Sequence, residues 1–133
     1  MASFPEATVT STLAEGENLS VVYGPKTPAI SKKTIGALVS EQAREFKDRT
    51  AVVVPWQSVR FTYQELADRS ELVAKSLIAA GLKHGESVGI MAGNCHQYVE
   101  VFLACARLGC PFVAMNNTYA PAELMKALSL SSE

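Results

Sequence analysis

Cysteine is scarce and unpaired in this sequence: Cys95, Cys105 and Cys110 are odd in number, and none belongs to a C-x-x-C pair. Neither a disulfide framework nor a zinc site organises such a chain, and the thiols are expected to be reduced in an intracellular protein. Neither sign of charge dominates. Twelve Lys and Arg face thirteen Asp and Glu for a formal charge of -1, with no like-charged block, so nucleic acid is not expected as a partner. Long apolar runs are missing too. The richest stretch, Val101 to Met115, is broken by Arg107 and Pro111 and is too short to span a bilayer, so no transmembrane segment is expected. No basic side chain precedes Lys26, Glu6, Glu15 and Glu17 come before it, and no apolar h-region is present. That excludes a signal peptide and argues against a transit peptide. Eight Gly and six Pro exclude a collagenous or low-complexity chain.

What is present is apolar content: 48% of 133 residues are hydrophobic, enough for one globular domain with a core. A chain of this size buries roughly two-thirds of its unfolded surface on folding. Residues 1 to 30 mix Ser, Thr, Glu, Pro and Gly without a hydrophobic period and read as an extended arm that gains order only on another surface. Residues 31 to 133 carry the periodic patterns. Ile35, Leu38, Val39, Ala43 and Phe46 recur at helical spacing after Thr34, with Ser40, Glu41, Arg44 and Lys47 opposite, which predicts an amphipathic helix over 34–46. Ala51 to Val54 and the alternating Ser58 to Thr62 flank Pro55-Trp56-Gln57, the pattern of a β-hairpin.

Thr62-Tyr63-Gln64-Glu65 has the T-x-x-E form of a capping box, in which the hydroxyl and the carboxylate satisfy two orphan amides at a helix start. Leu66, Ser70, Val73, Ala74 and Leu77 mark one face of the helix that follows, Glu71 and Lys75 form an i,i+4 pair, and Gly81 stops it. A short strand over Ser87 to Ala92, a helix from His96 to Leu108 that is apolar almost all round, and a second strand from Phe112 to Met115 complete the core pattern. Strand, helix and strand in so short a span form a βαβ unit with parallel strands. Both strands are apolar throughout and the helix has little polar face, so cover is expected on more than one side. A further helix follows, with Pro121 in its first turn and Leu124, Ala127 and Leu128 on one face. The fold class is α/β: an incomplete parallel sheet with covering helices and a short hairpin. No strand follows the last helix.

Chemistry is harder to find. Neither G-x-G-x-x-G nor a Walker sequence occurs, and Gly89 and Gly93 read as positions of close packing and turning. Cys95 and His96 are adjacent at a strand-to-helix turn, where neighbouring side chains point apart, and no third group is evident to orient the imidazole. His84 reads as a solvated turn residue, Glu65 as a cap, and Asp68 and Glu71 as an exposed helical face. Asn116-Asn117-Thr118-Tyr119 follows the carboxyl end of a parallel strand, where open α/β sheets bind ligands. It is the best local candidate for a site edge, although a polar connection capping the next helix is the favoured reading.

Read together, four elements form an ordered series. Ala51 to Val54, the F-T-Y-Q-E-L run Phe61 to Leu66, Gly85 to Ile90 with Asn94, and Ala106-Arg107-Leu108-Gly109-Cys110-Pro111-Phe112-Val113 with Asn116 resemble the beginning of the AMP-forming acyl-CoA synthetases, of the luciferase-like adenylate-forming superfamily. Tyr119 to Leu124 is similar to the helix start that follows in that family. The resemblance implies the large N-terminal domain of that fold. It also implies a reaction in which carboxylate, ATP and coenzyme A give acyl-CoA, AMP and pyrophosphate, with Mg as the expected metal. The family's phosphate loop and its adenine, ribose, metal and mobile-lysine positions lie beyond the region this chain represents. No catalytic, cofactor-binding or metal-binding residue is therefore assigned here.

The resemblance implies a scaffold portion, inactive alone, whose partner is the missing remainder of a synthetase and whose setting is cytoplasmic or peroxisomal. The alternative is a standalone truncated remnant acting as an interaction or regulatory module through an open sheet edge.

Overall fold

The computed structural model describes residues 27 and 29–131. The chain divides into two compact units, Met1–Lys32 and Lys33–Glu133. Of the first, only residues 27 and 29–32 are described; they are exposed and carry no regular secondary structure. The rest of the expected arm, over 1 to 30, lies outside the described residues. The second unit runs α1 (Ile35–Phe46), β1 (Thr50–Val54), a 3-10 turn (Pro55–Gln57), β2 (Val59–Thr62), α2 (Tyr63–Ala79), β3 (Val88–Met91), α3 (His96–Leu108), β4 (Phe112–Met115) and α4 (Pro121–Ser131).

Helix α1 begins where Thr34 Oγ1 accepts from the Ala37 amide at 3.2 Å, a side-chain cap of the kind that typically contributes about 1 kcal/mol. Its buried strip differs from the one its hydrophobic period suggests. Gly36 and Ala43 are buried, whereas Ile35 and Leu38 remain nearly half exposed at 47% and 45%. The reason is steric. A Cβ on Gly36 would lie 3.2 Å from Arg107 Cα, so the smallest residues of α1 face α3 and let the two backbones approach. Ser40, expected on the solvent side, turns inward with them.

The hairpin forms as expected, antiparallel with Val54 opposite Val59 and Val52 opposite Phe61, and a register shift lies between Thr50 and Val52. Ser58 takes the left-handed conformation, φ 54°, to close the 3-10 turn. At the hairpin's far end the capping box is complete: Glu65 N donates to Thr62 Oγ1 at 3.1 Å and Thr62 N donates to Glu65 Oε2 at 2.8 Å. The Thr62 amide first, and the Thr62 hydroxyl second, hold the Glu65 carboxyl below the ordinary glutamate range. The next two amides are also satisfied, Tyr63 N by Arg49 O and Gln64 N by Lys47 O. Helix α2 therefore starts with its orphan donors paired, and those bonds bind it to the segment joining α1 to β1.

The core sits where α1, α2 and α3 meet. Leu66, Ala67, Ser70 and Ala74 of α2 and Leu103, Ala104 and Cys105 of α3 are buried there with Ala43. Ser70 is fully buried, and its hydroxyl both donates to Ala67 O and accepts from Arg107 Nε at 3.2 Å. Arg107 Nη1 donates to Ser40 Oγ at 3.1 Å, so one guanidinium joins all three helices through hydroxyl groups.

Strands β3 and β4 pair in parallel, Val88 with Phe112 through Met91 with Met115, and α3 is the crossover. Helix α3 ends at Gly109, φ 67°, where the Cys110 amide donates back to Cys105 O at 3.0 Å. This left-handed closure satisfies terminal carbonyls that the helix leaves open. One face of the pair meets α3: Phe112 packs edge to face on Tyr98 and Phe102, with centroids 6.1 and 5.6 Å away. Gly89, Val113 and Met115 on the other face line an open groove of about 580 Å³ with Leu128 of α4. The described residues supply only part of the cover expected for α3: Val99 and Phe102 are 36% and 41% exposed. Among the described residues each sheet has two strands, so each keeps unpaired edges there.

Candidate functional site

The carboxyl end of a parallel pair is where an open α/β sheet places its ligands, because the strand-to-helix loops and helix N-termini converge there. Here β3 leads through Gly93 and Asn94 into α3, and β4 leads through Asn116 to Tyr119 into α4. The two loops approach each other: a Cβ on Gly93 would lie 3.6 Å from Asn117 Nδ2. Asn116 Oδ1 accepts from Thr118 N at 3.0 Å and from Thr118 Oγ1 at 2.9 Å. That is a self-contained Asx turn. The Tyr119 amide donates to Asn116 O at 3.2 Å, and Ala120 N donates to Glu123 Oε2 at 2.8 Å. The Asn116 to Tyr119 candidate is thus a polar connection that supplies its own hydrogen bonds.

The start of α3 is closed from outside its own segment. Gln57 Oε1, at the hairpin turn, accepts from the His96 amide at 2.9 Å, and the Trp56 indole N–H donates to Asn94 O at 3.0 Å. A phosphate at this helix start would have to displace the Gln57 carboxamide. The described helix N-termini are capped in the same sense, α1 by Thr34, α2 by its capping box and α4 by Glu123. Among the described residues no group of three His, Cys, Asp or Glu could hold a metal ion.

Residue-by-residue reasoning missed the most concentrated polar chemistry in the molecule. Glu100, expected as a mere interruption of an apolar helix, is 5% exposed and lies between α2 and α3. Its Oε1 accepts from Arg69 Nε at 2.8 Å and lies 2.6 Å from His96 Nδ1, while Oε2 is 3.4 Å from Arg69 Nη2. Arg69 also stacks over the Phe61 ring at 4.4 Å, and Phe61 meets His96 edge to face at 5.3 Å. The i,i+4 spacing of His96 and Glu100 was the available signal. A third group does orient His96, contrary to expectation, but it turns the ring into the helix interface. No hydrogen bond joins His96 to Cys95 among the described residues, and Cys95 makes no side-chain capping bond. His84 is exposed as expected, with the added finding that its ring covers Gly109: a Cβ there would lie 2.6 Å from His84 Nε2.

The cluster is an interior polar clamp, and the carboxyl edge is a self-capped scaffold. Comparison with known proteins decides whose scaffold it is. Residues 39–132 match the family described as AMP-binding enzyme. The chain belongs to that family. It is 50% identical over 113 residues to the acyl-CoA ligase cnsG of Penicillium expansum, covering 85% of this chain and 23% of that protein. To the acyl-CoA ligase SID4 of Ajellomyces capsulatus it is 46% identical over 113 residues, 85% of this chain and 19% of the relative. The chain spans about a fifth of the length of these curated relatives. Among solved structures it superposes on the inhibitor-bound N-terminal domain of FACL13 from Mycobacterium tuberculosis with a TM-score of 0.71 and 29% identity, over 74% of this chain and 25% of that one. The α/β architecture is therefore that of the N-terminal domain of adenylate-forming enzymes, and the chain carries an acyl-CoA synthetase scaffold. No helix among the described residues is long and apolar enough to cross a membrane.

Proposed function

We propose that this chain supplies part of the large-domain scaffold of an ATP-dependent acyl-CoA synthetase and has no adenylating activity alone. The observation that carries this reading is the capped state of every described helix start, together with the family match. A domain that bound phosphate within this segment would keep backbone amides open at a helix N-terminus. In the complete enzyme, ATP, magnesium and coenzyme A are held by segments other than this one, and the reaction converts carboxylate to acyl-CoA with release of AMP and pyrophosphate.

The partner is the remaining part of a synthetase polypeptide, added through the open edges of the parallel pair and the groove of Gly89, Val113, Met115 and Leu128. Unpaired strand edges support this, since natural sheets cover or charge them. Three free thiols fit a reducing intracellular setting, cytoplasmic or peroxisomal. The test is exchange of labelled pyrophosphate into ATP by the purified chain, with a panel of carboxylic acids. No exchange above buffer is expected, and robust exchange with any acid refutes the reading. A monomeric chain that unfolds cooperatively with protected sheet-edge amides would favour the standalone interaction module instead.

A further inference from the structure

The closure of α3 brings together two thiols that the scaffold reading does not use. Cys105 lies in the last turns of α3 and Cys110 directly follows Gly109. The Cys110 amide donates to Cys105 O at 3.0 Å across the left-handed glycine. In this kind of helix ending, the residue after the glycine packs its side chain against the residue three positions inside the helix end. Those two residues here are both cysteine. Both are buried, at 1% and 7% exposure, and both are free thiols. Cys110 Sγ donates to Lys83 O at 3.4 Å. Burial comes first, and the neighbouring Cys110 second, in pushing the Cys105 thiol up.

We propose that Cys105 and Cys110 form a redox-sensitive fastening across the α3 to β4 turn, closed by thiol–disulfide exchange with a small disulfide such as oxidised glutathione. Cys110, the more exposed of the two, loses its proton and its thiolate attacks one sulfur of the small disulfide. The S–S bond of the reagent breaks, one small thiolate leaves and takes up a proton, and a mixed disulfide remains on Cys110. Cys105 thiolate then attacks Cys110 Sγ, the Cys105–Cys110 bond forms, and the second small thiol departs with the remaining proton. Two protein thiols are oxidised and one small disulfide is reduced to two thiols. The product closes the glycine turn covalently and fixes the end of the crossover helix to the start of β4. Burial makes the exchange slow in the folded chain, because each attack waits on a local opening. The fastening therefore senses a sustained oxidising shift and ignores a brief one.

Peptide mapping reads the linkage, because Arg107 separates Cys110 from the tryptic peptide that holds both Cys95 and Cys105, and Cys95→Ser leaves Cys105 as the one thiol of that peptide. The full chain is incubated with oxidised glutathione in native buffer and, in parallel, in urea, alkylated and digested. The expected result in native buffer is a crosslinked pair joining the Cys105 and Cys110 peptides with loss of two hydrogens, in clear excess over its share in urea. It should form equally in Cys95→Ser and be absent from Cys110→Ser. The same pattern of links in native buffer as in urea overturns the proposal. So do glutathione adducts on Cys105 and Cys110 without a link, or a link that requires Cys95.

Discussion

Replacing Glu100 by alanine tests whether the interior clamp holds α2 to α3. The carboxylate accepts from Arg69 Nε at 2.8 Å and lies 2.6 Å from His96 Nδ1, with a weaker third contact at 3.4 Å. Hydrogen bonds to a charged group contribute about 1.5–3 kcal/mol when removed. The Arg69 end needs discounting, since its side chain is 44% exposed and recovers water once the partner is gone; it also keeps its place over Phe61. The His96 side chain is only 12% exposed and loses its partner in a dry site. The sum is about 2 kcal/mol of destabilisation for Glu100→Ala, or roughly 10 °C in Tm for a domain of this size. Glu100→Gln, which keeps one acceptor oxygen, should lose about half as much. Urea unfolding followed by circular dichroism measures both, and an Arg69→Ala/Glu100→Ala double-mutant cycle should give a coupling of about 1 kcal/mol. A Glu100→Ala chain as stable as the parent would refute the clamp and return Glu100 to the status of a solvated interruption.

Other expectations follow from local geometry. Thr62→Ala removes the acceptor for Glu65 N and should cost about 1 kcal/mol of α2 stability, read as a lower urea midpoint; an unchanged midpoint would mean that the cap is inert. The Glu65 carboxyl is held low by that same box, so its contribution is complete above the unfolded glutamate pKa and is lost as pH falls through the lower folded value. Carboxyl NMR should find Glu65 titrating below an unperturbed glutamate, and the Thr62→Ala chain, which keeps the amide donor and loses only the hydroxyl, should move it only part of the way back. Gly109→Ala forces a Cβ onto a residue at φ 67°, at a cost of about 1–2 kcal/mol. It also displaces His84, whose Nε2 would lie 2.6 Å away. In a His84→Ala background the steric part should vanish and the backbone part remain, and equal losses in both backgrounds would show that His84 gives way freely.

Much of this fold is legible in the sequence because its signals are local. The capping box Thr62 to Glu65, the hairpin about Pro55 to Gln57, and the bounds of α3 and β4 each follow from residues a few positions apart, where capping and periodicity act. The errors concern which face turns inward. The period of α1 favours Ile35 and Leu38 beside Ala43; Ala43 is buried as read, but close approach to the Arg107 backbone brings Gly36 and Ser40 inward in place of Ile35 and Leu38. That choice depends on a residue more than sixty positions away, which no window along the chain contains. Glu100 fails for the same reason. Its i,i+4 partner His96 is local, but Arg69, which makes burial of a carboxylate tolerable, comes from another helix. Buried charge is legible only once its counter-charge is placed.

The same division explains what the exposed surfaces mean. An apolar helix reads as covered on all sides, yet Val99 and Phe102 stay open, as do Met91 on β3 and Leu128 on α4. Every described helix start has a capping bond, while apolar side chains of the sheet and helices stay exposed. A scaffold segment of a larger domain should have that combination, because caps are made by neighbours in sequence and cover by neighbours in space. A module evolved to stand alone would be expected to protect its edges with charge, proline or a short strand. The strands of the parallel pair, Val88–Met91 and Phe112–Met115, are short at four residues each, but neither carries a charged residue or a proline. The bare edges and the open groove therefore weigh on the side of a scaffold that is completed by the rest of a synthetase.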